Sequence, residues 1–179
     1  MNDTTARKPA PPLPDDNATL ARRLIADAGT ASLGTRLAPS HAAALNHEGA
    51  GNHEGAGWPY TSLVQVASET TGQPILLLSD LAEHAANIAA DPRVSLLFDG
   101  TAGYEDPLAG PRLTLLGNAA ATTDPAIRAQ FLARHPKASL YAGFKDFQFY
   151  RVTMLRAHLV AGFGRIVWIE GGELTSVIR

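Results

Sequence analysis

Cysteine is absent from the 179 residues of this sequence, and aromatic residues make up only 7% of it. The lack of cysteine excludes disulfide bonds, thiolate metal sites and a cysteine nucleophile. Charged residues are sparse at 18%, and the formal net charge of -2 argues against nucleic acid or an anionic membrane as a partner. No apolar run approaches the roughly 20 residues of a membrane-spanning helix, and the first residues lack the apolar segment of a signal peptide. These absences predict a soluble, cytoplasmic protein.

The sequence does contain enough apolar material for one hydrophobic core. Hydrophobic residues account for 45% of the chain, and its 179 residues suit a single domain with a tail. Four prolines stand within residues 1–14. We therefore expect a disordered or extended arm over residues 1–14 and a single domain over residues 15–179.

Residues 73–99 predict a strand, a helix and a second strand with short connections. The apolar run at residues 75–78 is typical of a buried strand, and the alternating pattern of residues 94–98 predicts another. Between them, Ser79 is placed to cap a helix over residues 80–90. The core-facing stripe of this helix is assigned to Leu81, Ala85, Ile88 and Ala89.

Turn residues divide the remaining chain into further strands and helices. Additional strands are predicted at residues 30–37, 60–67, 112–120, 147–160 and 165–170, with a short last strand at 174–178. Further helices are predicted from about residue 15 to 28 and from 124 to 135. Because the connections are predominantly antiparallel, we expect a mainly β (α+β) fold. It is a β-barrel of about six or seven antiparallel strands with peripheral helices.

A tandem repeat follows the first predicted strand. The hexapeptide NHEGAG occurs at residues 46–51 and again at 52–57, and three histidines stand six residues apart, beginning with His41. Histidine and glutamate can ligate zinc or nickel. However, glycine-rich chain has no defined geometry, and the spacing matches no closed metal motif. We therefore favour a flexible, solvated loop insertion over residues 41–57 and expect no metal.

Polar residues decorate the start of the helix predicted at residues 80–90. Glu83, His84 and Asn87 lie close to an end whose free N–H groups carry positive partial charge. Two interpretations stay open, a phosphate site and a capped surface helix that faces water. The sequence has no Ser-His-Asp arrangement, no glycine-rich phosphate loop and no H-E-x-x-H motif, which disfavours hydrolases and kinases.

Five segments together resemble one known family. In chain order they are WPYTSLV, LLLSDLAEHAANIAADPRVSLLF, DPLAGPRLTLLGNA, FLARHPKASLYAGFKDFQFYRV and HLVAGFGRIVWI. Their order and spacing resemble the pyridoxamine 5'-phosphate oxidase-related, FMN-binding split-barrel family. The most similar branch is the N-terminal domain of the HugZ-type haem-utilisation proteins. The resemblance covers about residues 17–170 and implies a six-stranded split barrel. It also implies a homodimer with one FMN at each of two sites across the subunit interface.

The resemblance further implies which residues would meet FMN. Ala82, Glu83 and His84 fall where the oxidases carry a Ser-Arg-Lys phosphate clamp, and only His84 keeps a possible cation, so that clamp is not intact. The cofactor-binding residues implied in this way are Thr61, Ser62, Leu78, Ser79, His84, Asn87, Arg112, Arg165 and Trp168. In the alternative interpretation, the two arginines are ordinary strand-edge charges and the tryptophan belongs to the core.

Three functions are compatible with these expectations, and no catalytic residue or substrate is assigned. The first is an FMN-dependent oxidoreductase that acts on a small molecule, with the flavin supplying the redox chemistry. The second is haem binding or degradation of HugZ type. Full-length members of that branch use a histidine from an additional C-terminal domain. This chain ends soon after the predicted barrel, so the candidates here are His41, His47, His53, His84, His135 and His158. The third is a flavin-binding protein without turnover.

Overall fold

Seven antiparallel strands carry the fold in a computed structural model that describes residues 13–14, 16–38, 57–162 and 164–175. The strands are β1 (Thr30–Arg36), β2 (Pro59–Ser68), β3 (Pro74–Ser79), β4 (Arg93–Asp99), β5 (Pro111–Thr122), β6 (Phe147–Ala161) and β7 (Ile166–Glu170). The α-helices are α1 (Asn17–Asp27), α2 (Glu83–Ala90), α3 (Pro125–Arg134) and α4 (Gly171–Leu174). Short 3-10 helices lie at Pro107–Ala109 and Pro136–Leu140.

Pairing between β3 and β6 closes the sheet into a barrel. The strand order is β3-β2-β1-β4-β5-β6-β7, and β3 pairs with β6 as well as with β2. Six strands therefore form a ring, and β7 lies outside it along the far edge of β6. The predicted mainly β split barrel with peripheral helices is confirmed.

Alternating side chains fill the barrel, and two helices close its ends. The predicted alternation is confirmed in β1, which buries Ala31 and Leu33, and in β4, which buries Leu96 and Phe98. At one end α1 contributes Leu20, Ala21 and Ile25 to the core. This helix begins after Asp16, whose carboxylate accepts a hydrogen bond from the Thr19 N–H, as expected of an N-cap. At the other end α2 contributes Ile88.

A second apolar cluster lies outside the barrel, beneath α3. Ile127 and Phe131 of this helix pack against Ile75 and Leu77 of β3 and Phe149 of β6. Both faces of β3 are therefore buried, because Leu76 and Leu78 point into the barrel. This double burial explains why residues 75–78 are apolar without alternation.

Three details of the predicted elements are wrong. The helix predicted at residues 80–90 begins at Glu83 with Ala82 as its N-cap, and Ser79 ends β3 instead of capping the helix. Leu81 is 86% exposed because it lies in the turn before α2, and Ala89 faces solvent.

Of the short strand predicted at residues 174–178, residue 174 instead ends the one-turn helix α4, and residues 176–178 lie outside the described residues. The arm at residues 1–12 and the repeat at 39–56 lie outside the described residues. None of the helices in the described part of the chain is long and apolar enough to cross a membrane.

Candidate functional site

One side of the barrel presents large apolar side chains to solvent. It is formed by the outward-pointing residues of β2, β1, β4, β5, the second half of β6, and β7. We call this surface the outer face. Its large exposed apolar residues are Leu63, Leu97, Leu116, Leu155, Ile166 and Trp168, and its polar ones include Thr61, Arg112, Thr114, Arg156 and His158. An exposed apolar surface of this kind is typical of a binding or assembly site.

The strand register arranges the centre of the outer face as a single row. Residues that pair directly across neighbouring antiparallel strands point to the same side of the sheet. The row consists, in spatial order, of Leu63, Ser32, Leu97, Thr114, His158 and Trp168. It therefore crosses the sheet from β2 to β7 and ends in two aromatic rings.

These two rings form a stack at the β7 edge, and a cation covers it. The ring centroids of His158 and Trp168 are 4.7 Å apart, with planes inclined by 28°. The Arg156 guanidinium carbon lies 4.8 Å from the centroid of the Trp168 ring, within cation–π range. Arg156 also pairs with Glu170, at 3.1 Å between Nε and Oε1. Trp168 nevertheless remains 48% exposed, so the stack is open to a ligand or partner.

A β-bulge in β6 brings Arg156 to this position. The β5–β6 register shifts between Leu116 and Gly117, so Leu155 is an extra residue in β6. Consecutive residues Leu155 and Arg156 are consequently both exposed. The bulge packs against two glycines, because a Cβ on Gly117 would lie 2.5 Å from the Thr153 carbonyl oxygen. A Cβ on Gly171 would likewise lie 2.8 Å from the Met154 carbonyl carbon.

A second arginine stands one row away on β5. The guanidinium of Arg112 donates from Nη1 to the carbonyl oxygens of Leu108, at 2.8 Å, and Gly110, at 3.2 Å. Arg112 lies opposite Asp99 of β4. The pKa of Asp99 is lowered, first by hydrogen bonds from Thr101 and also by the charge of Arg112. On β5 and β6, the outer face thus carries Arg112 on one side of its central row and Arg156 on the other.

The barrel end near α2 holds a different group of the predicted residues. Ser62 Oγ lies 3.0 Å from Nδ1 of His84, and burial lowers the pKa of His84. Asn87 is fully buried, where its Oδ1 accepts from the Ala38 N–H at 2.7 Å and its Nδ2 donates to Thr35 Oγ1 at 3.0 Å. Asn87 therefore ties α2 to the end of β1 and presents no donor to a ligand.

The first turn of α2 has an acidic environment. Ser79 donates to a carboxylate oxygen of Asp146 at 2.9 Å and accepts from the Leu81 N–H at 3.2 Å. Asp80 follows directly, and Glu83 occupies the first turn of the helix. A phosphate dianion needs cations and free donors, whereas here His84 is the basic residue and its pKa is lowered. The residues around the N-terminus of α2 do not fit a phosphate clamp.

The structure thus separates the nine predicted cofactor residues. Thr61, Arg112 and Trp168 lie on the outer face, whereas Ser62, His84 and Asn87 lie at the barrel end. The others are Leu78, which is buried in the core, Ser79, and Arg165, whose Nε donates to Asn17 Oδ1 at 2.6 Å. Thr61 and Ser62 cannot share a site face, because successive strand residues point to opposite sides.

The outer face also includes residues that the prediction of the site missed. Leu63, Leu97 and Leu116 occupy alternate, outward positions of half-buried strands, where a polar residue is the usual occupant. The sequence contained a signal for this exposed apolar surface, because each of these strands carries apolar residues on both of its alternating faces. Arg156 had no such signal, since a bulge shifts the alternation of β6 at that point.

Comparisons with known proteins agree with the fold. The chain is 37% identical over 123 residues to the chloroplastic non-canonical heme oxygenase HOZ of Arabidopsis thaliana, which is 67% of this chain and 37% of that protein. The structure is similar to a heme binding protein from Mycobacterium smegmatis, with a TM-score of 0.76 and 28% identity over 92% of this chain and 62% of the other. A putative pyridoxamine 5'-phosphate oxidase from Listeria innocua has the same fold, with a TM-score of 0.55 and 11% identity over 81% of this chain and 98% of the other.

The chain spans little more than a third of the length of the Arabidopsis relative and about three fifths of the mycobacterial one. The sequence profile described as CREG, beta-barrel matches residues 12–176, nearly the whole chain. The chain belongs to the CREG β-barrel family, and its structural neighbours are the split-barrel proteins of the pyridoxamine-phosphate-oxidase and HugZ type.

Proposed function

We propose that the protein binds haem on its outer face and that a second copy of the chain covers this face in a homodimer. The observation that carries the proposal is the row of outward-pointing residues that ends in the stacked rings of His158 and Trp168, with the guanidinium of Arg156 over the Trp168 ring. Two relatives whose names refer to heme, at 37% and 28% identity, support haem as the ligand.

The residues of the outer face suit the three chemical parts of haem. The porphyrin ring needs an apolar surface, which Leu63, Leu97 and Trp168 supply. The iron needs a ligand, and a histidine nitrogen is a common one. Among the described residues, His158 is the histidine on this face, since His84 lies at the barrel end and His135 contacts the Val66 carbonyl.

The two propionates of haem need cations. Arg156 is suited to this role because its ion pair with Glu170 is exposed, and exposed pairs contribute only about 0–1 kcal/mol. A propionate can therefore replace Glu170 at little energetic cost. Arg112 offers a second guanidinium across the row, although two backbone carbonyls already accept from it.

Bound haem would supply iron redox and oxygen chemistry, while the protein binds and orients it and excludes water. The degradation of haem, which the name of the Arabidopsis relative implies for that protein, is the further part of the proposal. It is tested by following loss of the haem absorption band when a reductant is added in air.

Titration with haemin tests the binding itself. We expect a saturable Soret band in the wild-type protein. His158→Ala should move the band and weaken binding by more than about tenfold, as expected when a strong polar contact is lost. His84→Ala distinguishes the two predicted sites, because it lies at the barrel end and should leave the Soret band unchanged. Unsaturable binding, or an identical spectrum in His158→Ala, would contradict the proposal.

FMN is the second candidate ligand, and an FMN-dependent oxidoreductase the corresponding function. The fold shared with pyridoxamine-phosphate-oxidase proteins favours it, and Thr61, Arg112 and Trp168 on the outer face are its candidate contacts. Released flavin, identified after denaturing the purified protein, would support this candidate over haem. If His84 instead holds the phosphate, His84→Ala should weaken FMN more than riboflavin, which lacks the phosphate.

A further inference from the structure

A cavity of about 470 Å³ opens between α2, β5 and β6. Its apolar wall is made of Ile88 and five alanines, Ala85, Ala86 and Ala89 from α2, and Ala119 and Ala121 from β5. We call it the alanine pocket. Because a methyl group is the smallest side chain that still presents an apolar surface, this wall leaves room for a ligand between helix and strand.

Three polar residues complete the alanine pocket, and one of them has a free hydroxyl group. Tyr150 of β6 lines the pocket and is only 7% exposed as a whole residue. None of the buried side-chain oxygens in the described part of the chain lacks a hydrogen-bond partner, so the Tyr150 hydroxyl oxygen, which has none, is accessible from the pocket. Burial, followed by the charge of Asp80, raises the pKa of Tyr150. Its phenol is therefore neutral near pH 7 and can both donate and accept.

The charge of the pocket is negative. Asp80 lines it and is held by Gln148, whose Nε2 donates to both carboxylate oxygens at 2.9 and 2.8 Å. Among the described residues that line the pocket, none is lysine, arginine or histidine. Each oxygen of a carboxylate has two acceptor positions, so Asp80 can accept further hydrogen bonds from a ligand.

We propose that the alanine pocket binds a small aliphatic ammonium ion. In this arrangement the ammonium group donates to Asp80 and to the hydroxyl oxygen of Tyr150, and its carbon chain lies against the alanines. An anion would be repelled by Asp80, and a neutral alcohol of the same length would lose the charge-assisted hydrogen bond. The pocket involves none of the outer-face residues, so this proposal does not depend on haem binding.

A titration with three probes of equal length tests the proposal. The protein is labelled with ¹³C at the alanine methyl groups and titrated at pH 7 with n-butylammonium, n-butanol and n-butyrate. We expect saturable shifts of the five pocket alanines with n-butylammonium, and at least about tenfold weaker binding of the other two probes. Absence of saturable shifts, or equal affinity for the three probes, would overturn the proposal.

Two variants assign the polar contacts. Asp80→Asn keeps the size of an exposed side chain but removes its charge, and should lower the affinity for n-butylammonium about tenfold or more. Tyr150→Phe removes only the hydroxyl group and should lower the affinity for n-butylammonium about threefold to tenfold. The matched control is Asp106→Asn, on the loop before β5, which should leave the affinity unchanged. Unchanged affinity in either pocket variant, or an equal loss in the control, would overturn the assignment.

Discussion

At the scale of single residues, burial lowers the pKa of His84. Its imidazole is partly enclosed at the barrel end, lies 3.0 Å from Ser62 Oγ, and has a pKa below the ordinary value of 6.5 because burial penalises the charged form. In the unfolded chain the same group titrates near 6.5. Between the two pKa values the unfolded state therefore binds more protons than the folded state.

His84 should make the protein less stable in mild acid. The buried imidazole contributes its full stability when it is neutral in both states, above the unfolded pKa. This contribution to the free energy of unfolding is lost as pH falls through 6.5 toward the lower folded pKa. We expect urea midpoints to fall between pH 7.5 and pH 5, and to fall less in His84→Gln, which cannot be protonated. Ser62→Ala, which keeps the imidazole, should retain the pH dependence. Equal pH dependence in wild type and His84→Gln would show that this histidine titrates normally in the folded protein.

The predicted site residues show what sequence can and cannot establish at this scale. Trp168 and Arg112, which the resemblance implies as cofactor contacts, both lie on the outer face. Asn87 looked like a surface donor, but it is buried because its amide satisfies Ala38 N–H and the Thr35 hydroxyl. Both partners come from another part of the chain, so helical spacing alone could not reveal them.

At the scale of elements, the β6 bulge depends on glycine at two contacts. Gly117 approaches the backbone of β6 so closely that a Cβ would lie 2.5 Å from the Thr153 oxygen and 2.8 Å from Val152 Cγ1. The first of these contacts is with backbone, which cannot rotate away. An added methyl group would therefore have to push β5 and β6 apart at the bulge.

Gly117→Ala should destabilise the protein by about 1–3 kcal/mol, the usual cost of forcing an extra carbon into a close-packed site. Chemical denaturation measures this. Gly143→Ala is the matched control, because a Cβ there meets nothing within 4 Å, and it should change stability by less than about 0.5 kcal/mol. Because the bulge positions Arg156, Gly117→Ala should also weaken haem binding more than Gly143→Ala does. Equal stability of the two variants would contradict the close approach.

The NHEGAG repeat is the second element with a clear expectation. Since loop closure costs only about 0.6 kcal/mol per doubling of length, we expect the deletion of residues 52–57 to leave the melting temperature and ligand content nearly unchanged. A large loss of either, or stoichiometric zinc in the purified protein, would contradict the interpretation of residues 41–57 as a dispensable loop.

Local patterns predicted most elements because most strands here bury one face. β1 and β4 alternate, and their boundaries are close to those predicted. β3 buries both faces because α3 covers its outer side, and its apolar run therefore predicted a buried strand. The pairing of β3 with β6 is between distant parts of the chain, so local patterns could not predict it. The predicted start of α2 was wrong because residues 79–82 form a turn before the helix. In this turn the Ala82 N–H donates to the Ser79 carbonyl oxygen.

At the scale of the whole molecule, the exposed outer face predicts a homodimer. Leu63 is 74% exposed and Leu97 40% exposed in the single chain, and covering such a face requires a large apolar interface of the kind seen in permanent dimers. We expect sedimentation at micromolar concentration to give a dimer. Leu97→Asp, at the centre of the row, should give a monomer with weakened haem binding.

Leu81→Asp is the matched control for that experiment, because Leu81 is highly exposed but lies in the turn before α2. It should remain dimeric and bind haem as the wild type does. A wild-type monomer, or a Leu97→Asp dimer, would place the interface elsewhere.

Closure of the ring has a consequence for how the chain opens and folds. β3 is joined to β2 only along residues 66–68 and 74–76, and to β6 along residues 75–79 and 147–151. By contrast, β5 and β6 pair along residues 111–122 and 149–161. Amide protons of the β2–β3 seam should therefore exchange with solvent faster than those of β5 and β6, since the shorter ladder opens at lower cost. Because β3 and β6 are distant in the chain, their pairing has a high loop-closure entropy cost, and we expect it to form late in folding. When the β2–β3 seam opens, the barrel stays joined through the long β5–β6 ladder and through the pairing of β3 with β6. Closing it again requires only that β3 pair with β2.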